Sequence, residues 1–376
     1  MDIKENMKNL LPGGKPGKPL FDLAVIGAGP AGSLAAASAA EAGLSVILIE
    51  KKKMPRFKPC GGFISSRSLG LLPQDFIVPV EQSAEVYRLN VLRNGRMHSF
   101  KSEKRLGILI KRAHFDHSLA VYAKTKGAVL LEETSVCGIE TIKTGPHNLS
   151  YLINTAPDGS EEISATYIIA ADGALSRCAV MAGLRARRPA YSGLGIAELA
   201  GNGAIKAEKP GTLTFYPLPA IGGMGWIFTG PGWINRGVGG LAGRRRLQKT
   251  FYRLFPEQVE ERKYRAWPLP FLGPLKMAAA GNFLLVGDAA GLVEPFSGEG
   301  LYNAFISSIC AVSSIIKAGE ENIAAGAIYN RLFRFRFRKS FVKVLAGAIL
   351  LHGRSIAAPS SLPLAMAAIM DNKKQL

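Results

Sequence analysis

Residues 21–50 read FDLAVIGAGPAGSLAAASAAEAGLSVILIE, and the fold turns on this stretch. FDLAVIG is a short run of aliphatic and β-branched residues that ends in glycine, the pattern of a strand buried in a parallel sheet. The small residues of Pro30–Glu41 predict a helix, closed by Gly43 where a left-handed residue ends helices. SVILIE, ending at Glu50, is a second buried strand. Together they make a βαβ crossover of about 30 residues. The turn between strand and helix is Gly27-Ala28-Gly29-Pro30-Ala31-Gly32. In this spacing Gly27 permits the tight turn, Gly29 lets backbone approach a pyrophosphate, and Gly32 lets the helix pack near the strand. The helix start adds unpaired N–H groups and a positive dipole end. Glu50 ends the second strand where a ribose hydroxyl would find its acceptor. A carboxylate there disfavours a 2′-phosphate, so FAD or NAD is expected rather than NADP.

Outward from this unit, the pattern returns twice. Ala170-Ala171-Asp172-Gly173-Ala174-Leu175-Ser176 follows a buried strand, and so does Gly287-Asp288-Ala289-Ala290, with Pro295, Gly298 and Gly300 after it. Asp-Gly by itself reads as an ordinary turn, and the second motif by itself as a structural strand–turn–helix. Their order behind the glycine-rich turn makes them candidate ligand segments, with Asp288 placed to bind a polyol chain. Residues 71–104 mix short alternating runs (YRLNVL) with turns (RNGR) and predict antiparallel strands. Residues 113–127 read as a helix, and TIKTGPHNLSYLINTAPDGSEEISATYIIAADG reads as a hairpin leading into a buried strand. Residues 190–270, rich in Gly, Pro and aromatic residues, read as a β-rich unit with little helical periodicity; residues 299–318 read as a helix.

The whole chain has 376 residues, with 47 Lys+Arg against 28 Asp+Glu, a net charge of +19. Its 48% hydrophobic content excludes a disordered chain, and its length suggests about two domains. Cys60, Cys137, Cys178 and Cys310 are scattered without CxxC spacing, so neither a zinc site, an iron–sulfur cluster of the chain's own nor a disulfide scaffold is expected, and no metal site is assigned. Residues 1–20 lack the apolar core of a signal peptide. The apolar runs Val344–Leu351 and Ile356–Met370 fall short of a bilayer span.

Basic clusters stand at Lys51-Lys52-Lys53, Arg185-Ala186-Arg187-Arg188, Arg244-Arg245-Arg246 and Arg331–Lys339. As a helix, the last puts Phe333, Phe337 and Phe341 on one stripe and Arg334 and Arg338 on another, a face suited to anionic lipid headgroups. A solvated helix packed on the core is the plainer alternative. With no nucleic-acid-binding module in view, nucleic acid is not expected as a partner.

The segments VIGAGPAGSLAAASAAEAG…LIE, IKRAHFDHSLAVYAKTKGA, IIAADGALSRCAVMAGL and LLVGDAAGLVEPFSGEGLYNA together resemble the two-domain FAD oxidoreductases of the para-hydroxybenzoate hydroxylase type, and among them the geranylgeranyl reductase family. Lys58-Pro59-Cys60-Gly61-Gly62 is similar to that family's PCGGG signature, with Phe63 in place of the last glycine. Met224-Gly225-Trp226-Ile227-Phe228-Thr229 is similar to its lipid-lining Y-x-W-x-F-P stretch, with Met224 and Thr229 departing from it. Plain core packing is the other reading of these aromatics, as a small buried hydrophobe is of Cys60.

The resemblance implies an α/β fold: a Rossmann-type FAD-binding domain (20–70, 105–185 and 275–320) with an interleaved antiparallel β-sheet substrate domain (71–104 and 186–274) and a basic helical C-terminal part (321–376). It implies FAD held by Gly27, Gly29, Pro30, Ala31, Gly32, Glu50, Arg112, Val136, Asp172, Gly173, Gly287, Asp288, Pro295, Gly298, Gly300 and Leu301. Arg112 would lie near the ADP part and Val136 by the adenine. Cys60, Gly61 and Gly62 would form the catalytic loop, and Trp226 and Phe228 would meet substrate. The activity implied is saturation of isolated C=C bonds in prenyl chains, with NAD(P)H or reduced ferredoxin as electron donor. The expected partners are a prenyl lipid, the inner face of a membrane touched peripherally from the cytoplasm, and an electron-donor protein. The alternatives are a flavin monooxygenase acting on an aromatic or polyketide substrate, and a flavoprotein electron carrier to quinone.

Overall fold

The computed structural model describes residues 21–79, 83–143, 149–155, 161–185, 193–201, 209–256, 265–270, 276–294 and 298–338. Pro295, Arg187, Arg188, Lys339, Phe341 and the apolar runs after residue 343 lie outside them. Along the chain, β1 (Phe21–Ile26), α1 (Pro30–Glu41) and β2 (Val46–Ile49) form the crossover read from the sequence. There follow β3 (Phe63–Ser65), α2 (Ser66–Leu69), β4 (Ala84–Val86), β5 (Arg88–Arg93), β6 (Arg96–Lys101), β7 (Gly107–Leu109) and α3 (Arg112–Thr125). Next come β8 (Val129–Leu131), β9 (Val136–Lys143), β10 (Leu149–Thr155), β11 (Glu161–Ala170) and α4 (Arg177–Met181). The middle of the chain gives β12 (Gly193–Gly201), β13 (Thr212–Leu218), β14 (Gly223–Gly230), β15 (Trp233–Gly240), α5 (Arg244–Leu254) and β16 (Arg265–Leu269). The last elements are β17 (Ala279–Ala280), β18 (Phe283–Leu285), α6 (Leu301–Glu321) and α7 (Ala325–Phe333).

Among the described residues the strands form three sheets. In the first, β18, β11, β1, β2 and β8 run parallel, β17 closes one edge antiparallel, and the β9–β10 hairpin branches from β11. Its central strands are buried on both faces, as their unbroken apolar runs require. The helix α1 is nearly all small residues because it is enclosed by the sheet, α3 and α6. The second sheet runs β16-β12-β15-β14-β13-β5-β6 and is antiparallel except where β13 meets β5 in parallel. That one joint brings strands from residues 88–101 into the sheet built by residues 193–269. The small third sheet, β3-β7-β4, lies between them in sequence and carries the chain from one to the other.

Residues 190–270 are not wholly β. RRRLQKTFYRL forms α5, whose Leu247, Thr250 and Phe251 are buried with i, i+3, i+4 spacing while its arginines face out. Its three leading arginines read in sequence as a basic cluster and hid this apolar stripe. The aromatic stripe of the C-terminal basic segment points inward: Phe333 and Phe337 are buried and stack in series with Tyr329. The plainer alternative holds for them, and Phe335, 72% exposed, is the aromatic side chain that faces out beside Arg331 and Arg334. The helix α6 is long and apolar enough to cross a membrane, but most of that apolar length is buried against α1 and α7.

Candidate active site

Strands β1, β2, β11 and β18 deliver their carboxyl ends to one crevice, where an open parallel sheet binds its ligand. The loops that follow them, with the face of the second sheet opposite, enclose a cavity of about 820 Å³. Gly27 sits at φ +105°, and a methyl there would come within 2.6 Å of the Ala171 carbonyl oxygen. At Gly32 a methyl would overlap the Gly27 carbonyl, so this glycine lets α1 close on β1 and does not itself reach the cavity. Gly29 faces open space, where the nearest group to an added methyl is the Arg56 guanidinium at 3.5 Å. No side chain caps α1, so its first N–H groups point at the cavity unpaired by one.

Glu50 is 3% exposed and accepts hydrogen bonds from the N–H groups of Ala28 (3.0 Å) and Lys52 (3.1 Å). Arg56 Nε lies 3.3 Å from its Oε2 and reaches Asp116 with the other end of the guanidinium at 3.4 Å. Asp172 accepts from the Cys178 N–H at 3.1 Å through Oδ2, while its buried Oδ1 has no partner among the described residues. A buried acceptor left open costs free energy unless a ligand donor fills it. The open approach at Gly29, the uncapped helix start and the waiting Asp172 oxygen therefore fit a dinucleotide. Pro30, Ala31 and Gly173 line the same end, with Val136 at the start of β9.

At the middle of the cavity Lys58 Nζ lies 3.8 Å from Asp288 Oδ2 and 4.2 Å from the centre of the Trp267 ring. It thus ties a nucleotide-side carboxylate to a residue of β16. Burial pushes the Lys58 ammonium below its ordinary value; Asp288 opposes this and Arg112 adds to it. Arg112 pairs with Asp116 through two nitrogens, at 2.8 and 3.0 Å. Burial works against the charge on Arg112, but Asp116 and the adjacent Cys60 outweigh it and raise the group above its ordinary value. Arg112 lines the cavity beside Cys60 as well as facing the nucleotide loops. Gly298, Gly300 and Leu301 line the cavity at the start of α6, whereas Gly287 lies behind it against Ala31 and Ala304.

The opposite wall is aromatic. Trp226 and Phe228 alternate onto one face of β14, and Phe228 pairs with Asn235 of β15 in register. A methyl on Gly61 would come within 2.5 Å of the Phe228 ring. Gly62 sits at φ +82°, where a methyl would overlap the Ile110 carbonyl, and its own carbonyl accepts from the Ile110 N–H at 2.8 Å. The two glycines are therefore there for close approach, and they press the Cys60 loop between the aromatic wall and the residues leading into α3. The Asn235 amide donates to the Cys60 carbonyl at 2.7 Å and accepts from Trp226 Nε1 at 2.8 Å.

Cys60, Gly61, Gly62, Trp226 and Phe228 thus meet in one place. Sequence reasoning named Lys58 as the first residue of the signature-like segment but gave it no role, and it missed Arg56, Trp267 and Asn235. Asn235 and Trp267 reach the site through strand pairing that no local spacing announces.

The crevice defines an FAD-dependent oxidoreductase: residues 21–199 match the FAD binding domain family. Digeranylgeranylglycerophospholipid reductase 1 of Methanopyrus kandleri is 31% identical, over 85% of this chain and 87% of that one. The menaquinone reductase of Mycobacterium tuberculosis is 29% identical over 74% of this chain and 72% of its own. A geranylgeranyl bacteriochlorophyll reductase-like protein from Thermoplasma acidophilum has the same fold, with a TM-score of 0.77 at 23% identity, covering 94% of this chain and 97% of that one. The chain belongs to the geranylgeranyl reductase family.

Proposed function

We propose that this protein saturates isolated C=C bonds in the prenyl chains of isoprenoid lipids, with segments 20–70, 105–185 and 275–320 holding FAD and segments 71–104 and 186–274 holding the lipid. The observation that carries this reading is a single cavity that runs from the glycine-rich turn to the Trp226–Phe228 wall, with the Cys60 loop between. Bound and reduced, FAD supplies a hydride to one alkene carbon, and a proton must reach the other. An unactivated alkene offers no carbonyl oxygen on which charge can settle, so the chain's residues must place it closely and keep water out.

Trp226, Phe228 and Phe215 form a dry face that holds an apolar chain, and their π-faces favour positive charge developing on it. Lys58 and Arg112 hold fixed positive charge at the boundary of the two halves, which favours an electron-rich cofactor beside them. Asp172 and Asp288 offer carboxylate acceptors to the cofactor's hydroxyl groups. Lys58 Nζ and Cys60 Sγ, two residues apart on the cavity wall, each carry a transferable proton. Burial makes the Lys58 ammonium a readier donor than an ordinary lysine. Cys60→Ser and Lys58→Met separate the two roles.

The similarity to a menaquinone reductase favours a second reading, in which the lipid is a prenylated quinone. The direct test is anaerobic incubation of the reduced protein with geranylgeranyl phospholipids, geranylgeranyl diphosphate and a prenylated quinone. A gain of two hydrogens per reduced bond in one class names the substrate; no gain in any class refutes the reading.

Electrons come from NAD(P)H or a reduced ferredoxin, and the protein works from the cytoplasm against the membrane's inner face. The exposed cations Lys51–Lys53, Arg244–Arg246, Arg331 and Arg334 support a peripheral contact with anionic lipid. Co-sedimentation with vesicles should therefore rise with anionic lipid content and fall with salt; equal binding to neutral vesicles would refute the contact.

A further inference from the structure

One side chain grips the Cys60 backbone from the aromatic wall. The indole Nε1–H of Trp226 only donates, and the Cys60 carbonyl only accepts. A group that serves both must accept at one end and donate at the other. The Asn235 amide does so, at 2.8 Å and 2.7 Å, and is itself 7% exposed. The orientation of the amide is fixed by these two partners, since the reverse flip would set donor against donor and acceptor against acceptor. Asn235 stands on β15 of the second sheet, whereas Cys60 lies on the loop that leaves the first, so the bond crosses from the lipid-side sheet to the cofactor-side loop.

Other contacts hold the loop: the Ile110 N–H on the Gly62 carbonyl, the Gly62 N–H against Cys60 Sγ at 3.5 Å, Gly61 against Phe228, Arg112 beside the Cys60 side chain, and Lys58 against Asp288 and the Trp267 ring. None of them grips the carbonyl of Cys60.

We propose that Asn235 is a positioning residue for the reduction, which holds the Cys60 backbone at a fixed distance from the aromatic wall and has its own amide aimed by Trp226. It acts through Cys60 and does not touch the reacting carbons. This rests on the prenyl-reductase reading for its meaning, but its geometry can be tested without that reading. No acceptor-only or apolar side chain can replace the amide: Asp sets a carboxylate against the Cys60 carbonyl, and Leu leaves both partners unpaired.

The test uses Asn235→Leu, Asn235→Asp and Trp226→Phe in the full chain, with two readouts. The first is the rate at which iodoacetamide alkylates Cys60 in the purified protein with its flavin bound, followed by peptide mass spectrometry so that Cys137, Cys178 and Cys310 are scored apart. The second is kcat and KM for the prenyl lipid that the wild type reduces. Expected for Asn235→Leu is a Cys60 alkylation rate changed about tenfold and a kcat lowered about tenfold, with KM within about twofold. Trp226→Phe should change alkylation in the same direction by less, and the alkylation rate of the double variant should match that of Asn235→Leu alone, because both changes reach Cys60 through one chain of bonds. Asn235→Asp, which keeps the acceptor for Trp226, should lose kcat as Asn235→Leu does. A lowered melting temperature with unchanged alkylation and kcat would overturn the proposal, as would full additivity of the alkylation changes in the double variant. Where Asn235→Leu does not fold, Trp226→Phe decides by alkylation alone. A wild type that reduces no prenyl lipid refutes the proposed function, and alkylation then still judges the joint.

Discussion

The two walls of the cavity are built on opposite plans. The nucleotide wall is mostly backbone: a glycine-rich turn, the uncapped start of α1 and the carboxyl ends of parallel strands, with Glu50 and Asp172 as fixed side-chain acceptors. The aromatic wall is mostly side chains, drawn from β13, β14, β15 and β16, which meet only when the second sheet assembles. A backbone site needs particular residues at particular spacings in one short stretch. A side-chain site needs only that the right face of a strand be apolar, and many sequences satisfy that. Substitutions on the first wall should therefore abolish cofactor binding, while those on the second should spare the cofactor and strike the reaction.

The harshest break of this contrast is Gly32→Val. With no room beside the Gly27 carbonyl, α1 cannot close on β1, and the protein should purify colourless, or fail to fold, at a cost of at least about 3 kcal/mol. A yellow, stable Gly32→Val protein would mean that the close packing of α1 is dispensable. Next in size is Gly61→Ala, which pushes the Cys60 loop off Phe228. Flavin content should stay at the wild-type level while turnover falls about 100-fold, as a misplacement of about 1 Å costs. Loss of flavin in this variant would show that the walls are not separable.

The smallest effect sharpens the boundary itself. Lys58 holds its proton less tightly in the folded chain than an ordinary lysine at 10.5 does. Between that lowered value and 10.5 the unfolded chain binds more protons, so the contribution of Lys58 to stability rises with pH across this window and levels off above it. Lys58→Met should remove that rise. Denaturant melts of both proteins at several alkaline pH values would show the wild type gaining on the variant; parallel curves would place Lys58 in a more hydrated setting than its burial implies.

Much of the fold was legible because β1, α1 and β2 obey local rules: unbroken apolar runs for buried strands, small residues for an enclosed helix, Gly43 after its end. Asp172 and Asp288 stood out for the same reason, since each follows a strand end, whereas the Cys60 glycines stood out by resemblance. Trp226 and Phe228 could be singled out only by resemblance, and Asn235 not at all, because what makes it matter is a partner 175 residues away. α5 was hidden by its charge, as three arginines at its start masked the Leu247–Phe251 stripe. The Phe333–Phe337 stripe was seen but its direction was left open between lipid and core: periodicity gives the stripe, and only packing against Tyr329 gives the direction it faces.

The central claim is that one crevice brings reduced FAD and a prenyl double bond together. It is tested most directly by mixing the dithionite-reduced protein, freed of excess reductant and of oxygen, with a geranylgeranyl lipid while the flavin absorbance and the lipid mass are followed together. The account expects the yellow colour to return in step with the gain of two hydrogens by the lipid. Colour that returns only when oxygen is admitted, with every prenyl lipid unchanged, would contradict it.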